Sequence, residues 1–271
     1  MSQDGDTESS GKSVMKSVFK RIEEWYVGKA WRVGIPTGFN GFDDRLFVLQ
    51  KGELIVVSGD IGTGKTTFLI NAIRHIACNK IAPIAIVSCG LPRDEFAMRL
   101  LIATADVSSK NMLHGFIKVE DWRKLLNAAG SITDADIEYI NGPNLSSLVT
   151  ALTDWAGKHP GGLIVVDGMD YLNSSPCYTH PRNERIDNAA SQLKSLALNC
   201  DVPVLVTCSK STTYRNYADT IINLELSDHI LHASVSNRIF GLTSRFNFSI
   251  NQAFKIESHG ERHGGENDMF N

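Results

Sequence analysis

Apolar positions along the chain fall into two patterns. Short continuous runs rich in Val, Ile and Leu occupy residues 54–58, 84–88, 137–140, 163–167, 203–208 and 220–226. Runs of this length, bounded by turn residues, read as buried strands. Between most of them the apolar residues recur at helical spacing. In 67–78 they are Phe68, Leu69, Ala72, Ile73 and Ile76. In 145–157 they are Leu145, Leu148, Val149, Leu152 and Trp155, and in 184–199 Ile186, Ala189, Ala190, Leu193, Leu196 and Ala197. Residues 94–104 and 120–129 also read as helices, the second with Asp121 near its start. Strands buried on both faces and alternating with helices predict an α/β fold, a mostly parallel twisted sheet covered on both sides. After Leu226 the alternation stops. Residues 230–248 and 253–256 read as short antiparallel strands added at one edge.

The ends differ from this core. Residues 1–13 are polar and rich in Gly, Ser and Asp, a composition that predicts disorder. Residues 14–29 carry Val14, Met15, Val18, Phe19, Ile22, Trp25 and Tyr26 as an apolar stripe, with Lys16, Lys20, Arg21, Glu23 and Glu24 opposite. This is an amphipathic helix, to be packed on its own domain or on a neighbouring subunit. The predicted organisation is therefore a tail (1–13), a linker helix and loop (14–34), one domain (35–258) and a flexible polar tail (259–271).

Composition narrows the classes. Of the 271 residues 42% are hydrophobic and 21% charged, as in globular domains. A net charge of −3 gives no global attraction to nucleic acid, so contact with DNA needs a local basic patch. No apolar run reaches membrane-spanning length and the first residues hold no apolar signal core, so no membrane partner is expected. Cys78, Cys89, Cys177, Cys200 and Cys208 show no paired spacing and read as reduced, buried thiols. His259 and His263 lack a ligand cluster and read as solvated tail residues.

The chemistry begins at Gly59-Asp60-Ile61-Gly62-Thr63-Gly64-Lys65-Thr66-Thr67, which fits G-x-x-x-x-G-K-[ST]. It leaves a predicted strand and opens a predicted helix, as a phosphate-binding loop must. Backbone N–H groups of Gly62, Gly64, Lys65 and Thr66 then face a phosphate at the helix N-terminus. Gly59, Gly62, Thr63, Gly64, Lys65, Thr66 and Thr67 are the candidate ATP site. Lys65 reaches the β- and γ-phosphates and the Thr66 hydroxyl sits on Mg²⁺. The second element is Leu163-Ile164-Val165-Val166-Asp167, an apolar strand ending in an acid. An Asp at that end, beside the phosphate loop, holds Mg²⁺ through water.

With these residues placed, the chain resembles the C-terminal motor domain of DnaB-type replicative helicases, in a divergent, Twinkle-like form. The resemblance covers about 14–256. It rests on Ile35-Pro36-Thr37-Gly38-Phe39 with Phe42-Asp43, Leu91-Pro92 with Phe96-Ala97-Met98-Arg99-Leu100-Leu101, and Glu120-Asp121-Trp122. It rests also on the Asp167 strand, the stretch 183–198 followed by Val202-Pro203-Val204, and Tyr217-Ala218-Asp219. It implies a RecA-like fold, a ring of usually six copies of the chain, ATP bound between neighbours, and single-stranded DNA and other replication proteins as partners. Residues 14–29 stand where the family has the helix that docks on the adjacent subunit. Location in the cytoplasm or nucleoid follows, with a mitochondrial or phage origin left open.

Three departures accompany the resemblance. The family's water-polarising Glu is replaced by Gly90 in Ser88-Cys89-Gly90-Leu91-Pro92, leaving Asp170 as the candidate substitute base and Glu95 as a poorer one. Cys208-Ser209 stand where the family has Ser-Gln. The DNA-binding loop shrinks to 210–217, with Lys210 and Arg215 as its basic residues. Ser244-Arg245-Phe246-Asn247 resembles the motif of the family's trans-acting arginine, which makes Arg245 the finger candidate. Two functions stay open: a helicase- or translocase-type ATPase of replication or recombination with a weakened catalytic site, and a slowly hydrolysing, nucleotide-dependent assembly or regulatory protein. A kinase-like enzyme is disfavoured by the absence of a lid.

Overall fold

The computed structural model describes residues 11–26, 34–39, 42–43, 48–142, 144–172, 181–227, 230–238, 241–251 and 255–258. The chain divides into two units, Met1–Gly34 and Ile35–Asn271. In the first, helix α1 spans Gly11–Tyr26. It starts three residues before the predicted position, so Gly11, Lys12 and Ser13 are helical rather than disordered. Residues 1–10, 27–33 and 259–271 lie outside the described residues, and with them most of the expected tails, His259 and His263. Along α1 the apolar positions Met15, Val18, Phe19 and Ile22 are exposed.

The second unit is built on a nine-stranded sheet of order β3-β2-β4-β5-β1-β6-β7-β8-β9. The strands are β1 (Leu54–Gly59), β2 (Ile84–Ser88), β3 (Ile137–Tyr139), β4 (Leu163–Asp167), β5 (Val204–Ser209) and β6 (Thr220–Ser227), all parallel to one another. Next come β7 (Ile230–Asn237), β8 (Leu242–Ile250) and β9 (Ile256–Ser258), each antiparallel to the strand before it. The helices are α2 (Lys65–Cys78), α3 (Arg93–Ala105), α4 (Ser109–Leu113), α5 (Val119–Thr133), α6 (Leu145–Lys158) and α7 (Arg182–Cys200).

Two apolar layers sandwich the central strands. Ile55 and Val57 of β1 join the cluster made by Phe68, Ile73 and Ile76 of α2 and Phe96 of α3. The opposite residues, Leu54 and Val56, join Leu148, Leu152 and Trp155 of α6 and Ile186, Ala190 and Leu193 of α7. Burial on both faces explains why these strands lack polar alternation. Strands β7 and β8 alternate instead: Leu231, Ala233, Val235, Phe246 and Phe248 are buried on the α2 side, where Phe39 stacks on Phe68 at 4.5 Å. The other face of these strands carries the polar residues.

Local features end the elements where they do. Ser108 caps α4 by accepting from Asn111 N–H, Asn144 caps α6 by accepting from Ser147 N–H, and Asp121 accepts from Lys118 N–H at the start of α5. Asp219 ties strand to helix by accepting from Leu54 N–H at 2.8 Å and from Lys194 Nζ at 2.7 Å. Among the described residues no helix is long and apolar enough to cross a membrane. Four cysteines are described, all free; Cys177 lies outside the described residues. Cys208 is buried, Cys89 and Cys200 are half-buried, and Cys78 is exposed, which corrects the expectation that the thiols are all interior.

Candidate nucleotide site

Strand β1 delivers the chain to Gly59 and α2 takes it away from Lys65, so the loop sits at the carboxyl ends of the parallel strands, next to β5 and β6. Gly62 and Gly64 hold φ of +84° and +88°, a region that side chains other than glycine rarely enter. Gly59 is glycine for space: a Cβ there would lie 2.5 Å from Thr63 Oγ1 and 2.7 Å from the carbonyl oxygen of Leu224. Thr63 fixes the loop's turn by donating to the Asp60 carbonyl at 2.9 Å.

Lys65 Nζ donates to the carbonyl oxygens of Gly59 at 2.9 Å and Asp60 at 2.8 Å, so its ammonium lies across the loop. Burial lowers its pKa, while the negative charges of Asp170 and then Asp167 oppose that shift. The Thr66 hydroxyl is 3.1 Å from both carboxylate oxygens of Asp167. Thr207 on β5 donates to Asp167 Oδ1 at 2.7 Å and accepts from Gly168 N–H at 2.7 Å, which orients the carboxylate. Burial pushes the Asp167 pKa up; hydrogen bonds from Thr207 and Thr66 and the charges of Arg99 and Lys65 pull against it. The predicted trio Lys65, Thr66 and Asp167 is therefore brought together.

This donor set fits Mg²⁺. The ion takes one or two carboxylates, phosphate oxygens and several waters rather than an all-protein cage. One carboxylate beside one hydroxyl matches that pattern, and among the described residues no group of three or more His, Cys, Asp or Glu forms a closed metal cage.

Gly90 follows β2, and its N–H donates to the Asp167 carbonyl at 3.3 Å, beside Cys89 N–H at 2.8 Å. Its backbone is outside the left-handed region, and among the described residues an added Cβ would meet only the Tyr171 ring, at 3.5 Å. Glycine is thus not demanded by geometry here; the position has room for a side chain and lacks one. Asp170, the substitute candidate, is inside the site: it is the strongest charge acting on Lys65. Its Oδ2 already accepts from Ser209 Oγ at 2.8 Å and faces Arg182 at 3.3 Å. Glu95 accepts from Arg99 at 2.7 Å on the exposed side of α3. Burial pushes the thiols of Cys89 and Cys208 up to about 12, so both stay protonated at neutral pH.

Arg245 lies on β8 opposite Ser234 of β7, in one row with Asn223 of β6 and Ser58 of β1. It is exposed and three strands from the phosphate loop's own strand, roughly 14 Å at the usual interstrand spacing. Lys210 and Arg215 line a cleft of about 560 Å³ on the polar side of β6 and β7, with Ser58, Asn223 and Ser234 at its base. Sequence pattern alone does not reveal Thr207 and Tyr171 as site residues, whereas Ser209 is marked by the family's Ser-Gln position. Thr207 and Ser209 reach the site through the pairing of β5 beside β4, and Tyr171 through a single 3₁₀ turn at Met169–Tyr171.

A mostly parallel sheet with a phosphate loop, its Thr–Asp pair and a C-terminal antiparallel edge defines a phosphate-loop domain of the RecA-like fold. The chain matches the profile described as the DnaB-like helicase C terminal domain over residues 34–222 and belongs to that family. It is 29% identical over 196 residues to the replicative DNA helicase DnaC of Bacillus subtilis, covering 72% of this chain and 43% of that one. It is 28% identical over 210 residues to the replicative DNA helicase DnaB of Geobacillus stearothermophilus, covering 77% and 46%. The chain thus spans less than half the length of these relatives. Among solved structures, an isolated ATPase domain superposes with a TM-score of 0.81 at 17% identity, over 93% of this chain and 99% of that one. A DnaB-like replicative helicase studied with primase gives 0.79 at 17% identity, over 94% and 67%.

Proposed function

We propose that this chain is a nucleotide-binding motor domain of the DnaB type, acting in DNA replication or recombination at the nucleoid, with hydrolysis slowed by its catalytic site. The observation that carries the reading is the meeting of Lys65, Thr66 and Asp167 around the phosphate loop. ATP is the ligand this arrangement suits: the loop's N–H groups and Lys65 hold the phosphates. Thr66 and Asp167 would hold Mg²⁺, which when bound supplies positive charge to the β- and γ-oxygens.

Membership of the DnaB-like family suggests a ring of copies, six in the family's usual form, with Arg245 of one copy completing the site of the next. The exposed position of Arg245, far from its own loop, supports that role over one in cis. Lys210 and Arg215 are the candidate contacts to single-stranded DNA, within the cleft above β6 and β7. A specific observation favours the slower, assembly-type variant of this function. Gly90 offers no acid, and the carboxylate of Asp170 is already engaged by Ser209 and Arg182.

Titration with a fluorescent ATP analogue and Mg²⁺ tests the site. Lys65→Ala removes the cation from the phosphates and is expected to weaken binding at least about tenfold. Equal affinity of wild type and variant would refute the phosphate-loop assignment.

A further inference from the structure

The second residue of the phosphate loop is an acid. Asp60 lies between Gly59 and Ile61, and its negative charge is felt at Lys65, the cation meant for the phosphates. A carboxylate in that place repels a bound triphosphate. The structure supplies a partner for it from another element: Lys210, just past β5, places Nζ 3.1 Å from Asp60 Oδ2. The same ammonium is 3.5 Å from Glu225 Oε1 on β6. Lys210 therefore spans the loop and the sheet, and both ends of the span are acidic.

We infer that Lys210 is a positioning residue for nucleotide binding: through Asp60 it neutralises and holds the outer arm of the phosphate loop, so that the triphosphate is received beside a paired carboxylate rather than a free one. The inference rests on the nucleotide-site reading above and gives Lys210 a role that does not require contact with either nucleotide or DNA. Glu225 holds the ammonium from the other side, which keeps the side chain over the loop. The pair is largely exposed, so solvent screens it and its effect is modest.

The test is a double-mutant cycle on the full chain, read by titration of a fluorescent ATP analogue with Mg²⁺. Lys210→Met is expected to weaken binding about two- to fivefold, in the range of exposed ion pairs. Asp60→Asn is expected to change binding little, since the charge it removes is already paired with Lys210. In the Asp60→Asn background Lys210→Met is expected to do nothing. Lys210→Arg keeps wild-type affinity. The Lys210→Met effect should fade between about 0.05 and 0.5 M salt and be smaller for a diphosphate analogue than for the triphosphate. Circular dichroism melts of each variant exclude general unfolding.

Equal weakening by Lys210→Met with and without Asp60 overturns the inference and points to direct contact with the phosphates. So does a Lys210→Met protein that binds as wild type. In both cases the nucleotide-site reading survives, because Lys65→Ala still weakens binding. If the wild-type chain binds no analogue at all, the site reading falls and this inference falls with it.

Discussion

At the scale of single residues, the proposed slowing of hydrolysis rests on Gly90. In the proposed site, binding rests on Lys65, Thr66 and Asp167, and all three are present and mutually placed. Hydrolysis needs a group that orients water, and absence of such a base costs about 10²–10⁴-fold in rate. The space at Gly90 decides how to test this. Among the described residues an added Cβ meets only the Tyr171 ring, at 3.5 Å, an ordinary contact, so the backbone here accepts a side chain and Gly90→Glu is expected to raise turnover. Asp170→Asn separates the remaining reading. If Asp170 serves as base, the change removes whatever turnover exists. If Asp170 is the structural partner of Arg182 and Ser209, residual turnover persists. Steady-state phosphate release by wild type, Gly90→Glu and Asp170→Asn measures both. A Gly90→Glu protein no faster than wild type would show that the lost acid is not what limits the site.

At the scale of elements, α1 carries an apolar stripe that is exposed among the described residues. Phe19 is 61% exposed and Ile22 45%, on a helix whose opposite face is charged. Burying such a stripe against another copy is favourable at about 25 cal/mol per Å² of apolar surface. Deleting residues 1–29 is expected to leave a folded ATPase domain that binds nucleotide but no longer assembles with ATP. Light scattering on the truncated chain checks this, and unchanged oligomers reject the docking role.

The same scale shows what can be read from sequence. Strands β1, β2 and β4 are legible nearly to the residue, because each is an apolar run buried on both faces with a turn at its end. Strand β5 starts at Val204 rather than Pro203, since proline has no N–H for the ladder. Helix α4 escapes detection: five residues capped by Ser108 give no periodicity. In the site, Lys65, Thr66 and Asp167 are legible because a motif fixes local geometry. Thr207 and the Lys210–Asp60 pair are not. They meet through strand neighbours that lie far apart in sequence, and no local pattern encodes that register.

At the scale of the whole molecule, the question is whether one chain holds a complete site. Arg245 sits on β8 across three strand spacings from β1, on the open polar face of the edge sheet. That is roughly 14 Å from its own loop's strand at the usual interstrand spacing, and its exposure leaves it open to a neighbouring copy. In a head-to-tail ring one subunit's exposed face packs on the next subunit, so such a residue can meet the neighbouring site. Two variants built on Gly90→Glu, to raise the signal, distinguish the cases. Lys65→Ala alone and Arg245→Ala alone are each expected to be nearly inactive. Mixed in equal amounts, they should regain activity, because roughly a quarter of head-to-tail interfaces then pair an intact Lys65 with an intact Arg245. If Arg245 acts in cis or only stabilises β8, mixing restores nothing, since no subunit carries both residues. Measuring phosphate release against mixing ratio, with each pure variant as baseline, reads the result. Recovery that peaks near equal amounts assigns Arg245 to the neighbouring site. A flat line at the pure-variant level rejects the trans role and leaves Arg245 acting within its own subunit or stabilising β8.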